Sequence, residues 1–262
     1  VASGNAVYLA WEEVWWESET RYHSPPYVLF YKYSIDAGQT WSDAVQVETD
    51  ISFETGSPSL VIGKDKLRII YGSNEVAVNN WELYSVNSTD AGSSWGNKTR
   101  LTNDQSGDSR FPVAAGTGAT VHVVWWDDRD DLTKDRRGYP PLEPTGNYEI
   151  YYKRSTDGGA TWGSDTRLTS DSGISRDPTI ATAGQDVYVV WADNRDGNYE
   201  IYFKQSNDGG ATWSEDVRLT NNSRRSYYPS VAVDGAGNVH VVWWDDRDGN
   251  KEIYYKKGTV GT

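Results

Sequence analysis

One octapeptide returns four times along the chain and limits what it can fold into. The copies are Ser34-Ile-Asp36-Ala-Gly38-Gln-Thr40-Trp41, Ser88-Thr-Asp90-Ala-Gly92-Ser-Ser94-Trp95, Ser155-Thr-Asp157-Gly-Gly159-Ala-Thr161-Trp162 and Ser206-Asn-Asp208-Gly-Gly210-Ala-Thr212-Trp213. Their aspartates stand 54, 67 and 51 residues apart. The long gap arises from residues 131–146, which occupy the place of the single Gly197 in the next copy. A period near fifty therefore runs through all 262 residues, and such copies bury their faces by stacking on their neighbours.

Inside each period the residues read as strands. In the third copy Val113-Ala-Ala is expected as a short inner strand, followed by Val121–Trp126, Glu149–Lys153 and Asp165–Thr169. β-Branched and aromatic residues fill these runs, Gly, Asn, Asp and Pro fill the joints, and no stretch sustains a helical period. Four short strands per period is the blade pattern of a β-propeller. The expected fold is all-β: one propeller domain over 1–262, with five blades of about four antiparallel strands at approximately 1–51, 52–104, 105–170, 171–222 and 223–262. The terminal blades are expected to be incomplete, because blade one starts abruptly at Val1 and blade five, after Glu252–Lys256, has no octet. An open strand edge there makes self-association an expectation. The absence of an initiator Met points to a processed or trimmed product.

The octets resemble the Asp-box, or BNR, repeat of sialidases and related extracellular β-propellers, and the resemblance covers essentially the whole chain. It implies that Asp36, Trp41, Asp90, Trp95, Asp157, Trp162, Asp208 and Trp213 are structural residues of a hairpin between third and fourth strands, on the side opposite the ligand face. In such a hairpin the carboxylate accepts N–H groups of its own turn, Gly permits positive φ, and Trp wedges between blades. Sialidases of this kind have six blades, so five copies depart from the pattern.

Composition narrows the partners. With 38 acidic against 25 basic residues the net charge is −13, which argues against nucleic acid and anionic membranes. No apolar run is long enough to span a bilayer, and no signal-peptide pattern opens the chain. The absence of Cys excludes disulfides and thiolate chemistry, and only three His are present, so no transition-metal site is expected. His122 and His240 stand where other blades have Tyr8 and Tyr188, which marks a need for a ring. No Gly-rich phosphate loop occurs. Asn87-Ser-Thr89, Asn97-Lys-Thr99 and Asn221-Asn-Ser223 fit the glycosylation pattern of an exported protein.

Residues that break the repeat are better functional candidates than those that follow it. Two expanded joints break it, 13–26 and 131–146, and they offer Trp15, Trp16, Tyr22, Arg136, Arg137 and Tyr139 as stacking planes and forked donors for a sugar or an acidic group. Asp127-Asp-Arg129-Asp130, Asp193-Asn-Arg195-Asp196 and Asp245-Asp-Arg247-Asp248 recur at the equivalent joints. Their arginines are candidates for gripping a carboxylate, against the simpler expectation of ion pairs between blades, since Glu149, Glu200 and Glu252 recur nearby. These acidic joints are a weak match to calcium chemistry, because the spacing departs from the Asp-x-Asp-x-Asp-Gly loop; no cofactor is expected. Arg110-Phe-Pro112 and Arg176-Asp-Pro178 resemble the Arg-Ile-Pro element of sialidases. A sialidase-like enzyme would draw its catalytic groups from Arg110, Arg176 and a tyrosine such as Tyr139, Tyr22, Tyr227 or Tyr228, assisted by Glu17 or Glu143. The expectation for function is an extracellular or cell-surface, non-catalytic module that binds glycan or a surface protein. A sialidase-like glycoside hydrolase and a subunit of an extracellular polymer are the alternatives.

Overall fold

A computed structural model describes residues 1–14, 27–48, 55–63, 66–77, 80–104, 107–131 and 147–259. Trp15, Trp16, Tyr22, Arg136, Arg137 and Tyr139 lie outside the described residues, as do Glu17, His23 and Glu143. Among the described residues every regular element is a strand. Blade one comprises β1 (Ala2–Ser3), β2 (Ala6–Val14), β3 (Tyr27–Ser34) and β4 (Val45–Gln46); blade two, β5 (Thr55–Gly63), β6 (Lys66–Ala77), β7 (Asn80–Ser88) and β8 (Thr99–Arg100). Blade three comprises β9 (Ser109–Thr117), β10 (Thr120–Asp127), β11 (Glu149–Ser155) and β12 (Thr166–Arg167); blade four, β13 (Ser175–Ala183), β14 (Asp186–Asp193), β15 (Glu200–Ser206) and β16 (Val217–Arg218). Blade five has three strands, β17 (Ser226–Val233), β18 (Asn238–Asp245) and β19 (Glu252–Thr259). Each blade is an antiparallel sheet whose strands pair in chain order. Among the described residues no helix is long and apolar enough to cross a membrane.

The chain forms two compact units, Val1–Pro112 and Val113–Thr262, with the boundary inside β9. In the first unit, Leu29 and Tyr31 of blade one pack against Leu67, Ile69 and Tyr71 of blade two. In the second, Val124, Ile150 and Tyr152 of blade three meet Val187, Val189 and Trp191 of blade four. Tyr188, Val190 and Ile201 of blade four likewise meet Val239, Val241 and Trp243 of blade five. Each such side chain contributes roughly 1.5–3 kcal/mol on full burial, so these faces hold the blades together.

The octets explain their own sequence. In the first, Ser34 Oγ donates to Asp36 Oδ1 (2.7 Å) and accepts from Gly38 N (2.8 Å), while Thr40 N and Thr40 Oγ1 donate to the two carboxylate oxygens of Asp36 (2.8 and 2.6 Å). Asp90, Asp157 and Asp208 accept from Ser94, Thr161 and Thr212 in the same way. The side-chain bond from Thr40, then its backbone N–H and Ser34, hold the Asp36 carboxyl down at about 2. The fourth octet position has positive φ whether it is Ala37, Ala91, Gly158 or Gly209, yet the fifth is always Gly. Position explains the difference. A Cβ on Gly92 would sit 2.0 Å from the Tyr31 ring of the preceding blade, and one on Gly210 would sit 1.9 Å from Tyr152 Oη. Trp95 and Trp213 then meet those same tyrosines edge-on, with centroids 5.1 and 4.9 Å away. Thus the hairpins of blades two and four clasp the third strands of blades one and three.

Candidate functional site

In each inner strand from blade two onward the third residue is held in an unusual conformation immediately before a proline. Ser57, Phe111, Asp177 and Tyr228 have φ of 53°, 52°, 52° and 49°, and Pro58, Pro112, Pro178 and Pro229 follow them. Proline normally drives its predecessor to extended backbone, and a non-glycine residue at positive φ costs of order 1–3 kcal/mol. The ladder skips these two positions, between Gly56 and Ser59, Arg176 and Thr179, and Tyr227 and Ser230. The result is a bulge that re-aims one side chain out of the sheet. Conformation repeats here while side chain does not, so the bulge presents a different group in each blade; Phe111 and Tyr228 are exposed. It also lengthens the inner strand of blade three, which runs over Ser109–Thr117 rather than the expected Val113–Ala115.

In the first unit these devices border a cavity of about 320 Å³. Phe111, Tyr27 and Trp81 line it with rings, and Glu12 and Arg110 supply opposite charges. Arg110 lies 4.4 Å over the Trp81 ring and pairs with Asp108 through Nε (3.2 Å) and Nη2 (3.0 Å). Asp108 is itself fixed by Trp81 N at 2.9 Å. Nη1 of Arg110 has no partner among the described residues. Glu12 Oε2 accepts from Ser57 N at 2.9 Å, which ties it to the bulge of blade two. Gly56 and Gly72 make room: a Cβ on Gly56 would lie 2.9 Å from Glu12 Oε2, and one on Gly72 would lie 3.2 Å from the Trp81 ring. Glu12 occupies the register position of Gly72, Trp126, Ala192 and Trp244 in other blades, so it breaks the repeat. The cavity therefore combines apolar faces, one forked donor and one carboxylate acceptor, which is the chemistry that orients a polyhydroxylated ring.

In the second unit Arg176 pairs with Asp177 at 3.2 Å and lies 6.0 Å from the Tyr227 ring. Tyr199, Tyr227, Tyr228 and Trp244 form a chain of tilted ring contacts beside them. Burial pushes the Asp177 carboxyl up, and Arg176 works against that shift.

The three recurrent arginines are engaged by carboxylates. Arg129 binds Asp127 through Nη2 (2.6 Å) and Asp165 through Nη1 (2.8 Å), with its guanidinium 4.3 Å from the Tyr151 ring. Arg195 binds Asp193 (2.6 Å), Asp216 (2.7 Å) and Asp171 (2.7 Å), and Arg247 binds Asp245 (2.5 Å). Burial opposes the charge on Arg129, and Asp127 with Asp165 more than offsets that penalty. The expected pairing between blades is corrected in one respect: Asp127 and Asp165 belong to the same blade as Arg129, and Glu149 and Glu200 pair instead with Arg167 (2.6 Å) and Arg218 (3.1 Å) from their own short fourth strands. These carboxylates fit calcium poorly because cations already occupy their oxygens. Among the described residues no group of three or more His, Cys, Asp or Glu side chains is placed to hold a metal ion.

Comparison with known proteins returns no matching family model and no matching curated protein. Solved structures do match. A protein of unknown function from Dyadobacter fermentans aligns with a TM-score of 0.66 at 14% identity, over 92% of this chain and 72% of that one. The NanB sialidase from Streptococcus pneumoniae aligns with a TM-score of 0.64 at 11% identity, over 98% of this chain and 57% of that one. The fold is a sialidase-like β-propeller. A third neighbour, the GH93 α-L-arabinofuranosidase of Fusarium graminearum with arabinobiose, aligns with a TM-score of 0.63 at 14% identity over 97% of this chain and 72% of that one. This chain thus spans little more than half of the sialidase's length, and identities this low carry the propeller fold and nothing finer.

Proposed function

We propose that this propeller is an extracellular carbohydrate-binding module and that it takes glycan into the cavity bordered by Glu12, Trp81, Arg110 and Phe111. The observation that carries the reading is the convergence of exposed aromatic faces, one arginine and one repeat-breaking carboxylate on a single concave site. A sugar ring stacks on Phe111, its hydroxyls donate to Glu12, and Nη1 of Arg110 donates to a hydroxyl or carboxylate oxygen. We read the octets as Asp boxes, which accords with a secreted protein, as do the three Asn-x-Ser/Thr triplets. Neighbours that are a sialidase and an arabinofuranosidase favour a glycan ligand over a protein one. The binding requires no cofactor.

Calorimetric titration with a sialylated trisaccharide and with arabinobiose tests the proposal. Saturable binding by either sugar is expected, weakened at least tenfold (about 1.4 kcal/mol) in Phe111→Ala and in Glu12→Gln. Binding that both variants leave unchanged would remove the cavity from the account. A second reading, glycoside hydrolysis, draws on the fact that Tyr27 and Glu12 line the same cavity as Arg110. Turnover of a fluorogenic sialoside or arabinofuranoside that disappears in Tyr27→Phe would establish it instead.

A further inference from the structure

The cavity of the first unit has two charged lining side chains, Glu12 and Arg110, and they stand differently toward a ligand. Arg110 is already matched by Asp108, which accepts from its Nε and Nη2. Glu12 has no such partner: its Oε2 accepts a backbone N–H from Ser57, and no cation pairs with it among the described residues. With Asp108, the site therefore carries two negative charges against one positive. The other described arginines that the sequence offers as grips for a carboxylate are matched as well. Asp127 and Asp165 hold Arg129, Asp177 holds Arg176, Asp193 with Asp216 holds Arg195, and Asp245 holds Arg247. Gripping a ligand carboxylate takes guanidinium charge in excess of the acids beside it, and none of these arginines has that excess.

Glu12 is also the residue that breaks the repeat here. At its register position the other blades have Gly72, Trp126, Ala192 and Trp244, so the packing of a blade calls for no carboxylate there. The surroundings are nonetheless fitted to it. Ser57, the positive-φ residue of the bulge, turns its N–H onto Oε2, and Gly56 leaves open the space that a Cβ would take 2.9 Å from the same oxygen. A carboxylate so held is an acceptor only. It takes hydrogen bonds from the hydroxyls of a sugar and repels a carboxylate or a sulfate, whereas Nη1 of Arg110 can donate to either kind of ligand.

Resting on the glycan reading above, we infer that Glu12 sets the charge of the ligand: the cavity selects uncharged sugar residues and excludes uronic, sialic and sulfated ones. An uncharged ring offers hydroxyls that donate to Glu12 and accept from Arg110. An acidic ring satisfies Arg110 alone, and to do so it must bring its charge close to Glu12 and Asp108. The net charge of −13 on the whole chain acts in the same direction, since its field keeps anions away. Glu12 is thus a specificity-determining residue as well as a hydrogen-bond acceptor.

An oligosaccharide array probed with the labelled full chain tests this. It carries arabinobiose, a sialylated trisaccharide, and galactose, glucose and mannose oligosaccharides, each beside its uronate counterpart. Uncharged sugars are expected to bind, and each uronate to bind about tenfold more weakly than its neutral twin at low salt. The gap should narrow in 1 M salt, where the Debye length falls to about 3 Å. Glu12→Gln should close most of it by weakening neutral ligands more than acidic ones. Asp108→Asn, which keeps an acceptor for Trp81 N and removes one negative charge, should strengthen acidic ligands relative to neutral ones. Each ratio is internal to one variant, so it does not depend on how much of that variant is folded. Uronates bound as tightly as their neutral twins, or a gap that Glu12→Gln leaves as wide, would overturn the inference while Phe111-dependent binding kept the cavity. No binding at any sugar, or binding that Phe111→Ala leaves unchanged, would overturn the cavity reading and the inference with it.

Discussion

The octet hairpins and the mouths of the inner strands both recur, and they differ in what recurs. In the octets residue and conformation repeat together: Ser and Asp turn their polar groups back on the turn, and in blades two and four Gly is required because Tyr31 or Tyr152 of the preceding blade fills the space. At the mouths only the conformation repeats, and Ser57, Phe111, Asp177 and Tyr228 bring four different chemistries to one strained position. Repetition of residue therefore marks a clasp, and repetition of conformation with changing residue marks a display.

The contrast breaks most sharply at the clasp. Gly210→Ala should destabilise the protein by about 3 kcal/mol or more, because the new Cβ must displace Tyr152 and also accept a left-handed backbone. Gly92→Ala should behave alike against Tyr31, whereas Gly209→Ala should be tolerated, since Ala37 and Ala91 already hold that position at φ 59° and 57°. Thermal melts of the three variants check this.

Acid should loosen the clasp in two stages. Burial first, and Arg154 second, lower His122 to about 4, so the folded protein holds it neutral beside Tyr152. Its folded value lies below its unfolded one, so its contribution is complete above about 6.5 and fades as the pH falls toward 4, by up to about 3 kcal/mol. His122→Phe should remove that part of the pH dependence in denaturant titrations. The octet aspartates act lower: Asp36 and Asp90 sit near 2, so their stabilisation is present above the ordinary carboxylate value and is lost as the pH falls through 2.

The smallest effect belongs to the display, and its sign is opposite. Phe111→Gly should stabilise the protein by about 1 kcal/mol by relieving positive φ, while glycan binding weakens. A variant that gained stability and kept full affinity would detach the strain from function.

Much of the fold was legible because the octets punctuate it. Asp157 and Trp162 locate the hairpin after β11, and the alternation of Val121–Trp126 locates β10. The inner strand is longer than its sequence suggests, because Arg110-Phe-Pro112 has the composition of a turn and its bulge lets the strand continue past a proline. The recurrence of Arg129, Arg195 and Arg247 was plain, but their partners were not. Antiparallel pairing brings Asp165 and Asp216 to them from beside the fourth strand, a distance that residue spacing does not encode. Glu12 and Trp81 belong to no motif and lie within regular strands, whereas the expanded joints are the visible breaks in the repeat. The available signal was Glu12 itself, a charge at a register position held by Gly, Ala or Trp in the other blades.

The central claim is that function resides at the display rather than at the clasp. A crystal of the protein soaked with sialylated and arabinose oligosaccharides tests it most directly. Sugar density stacked on Phe111, within hydrogen-bond reach of Glu12 and Arg110, is the expected result. Sugar seated instead on the octet hairpins, or a cavity that stays empty at saturating sugar, would contradict it.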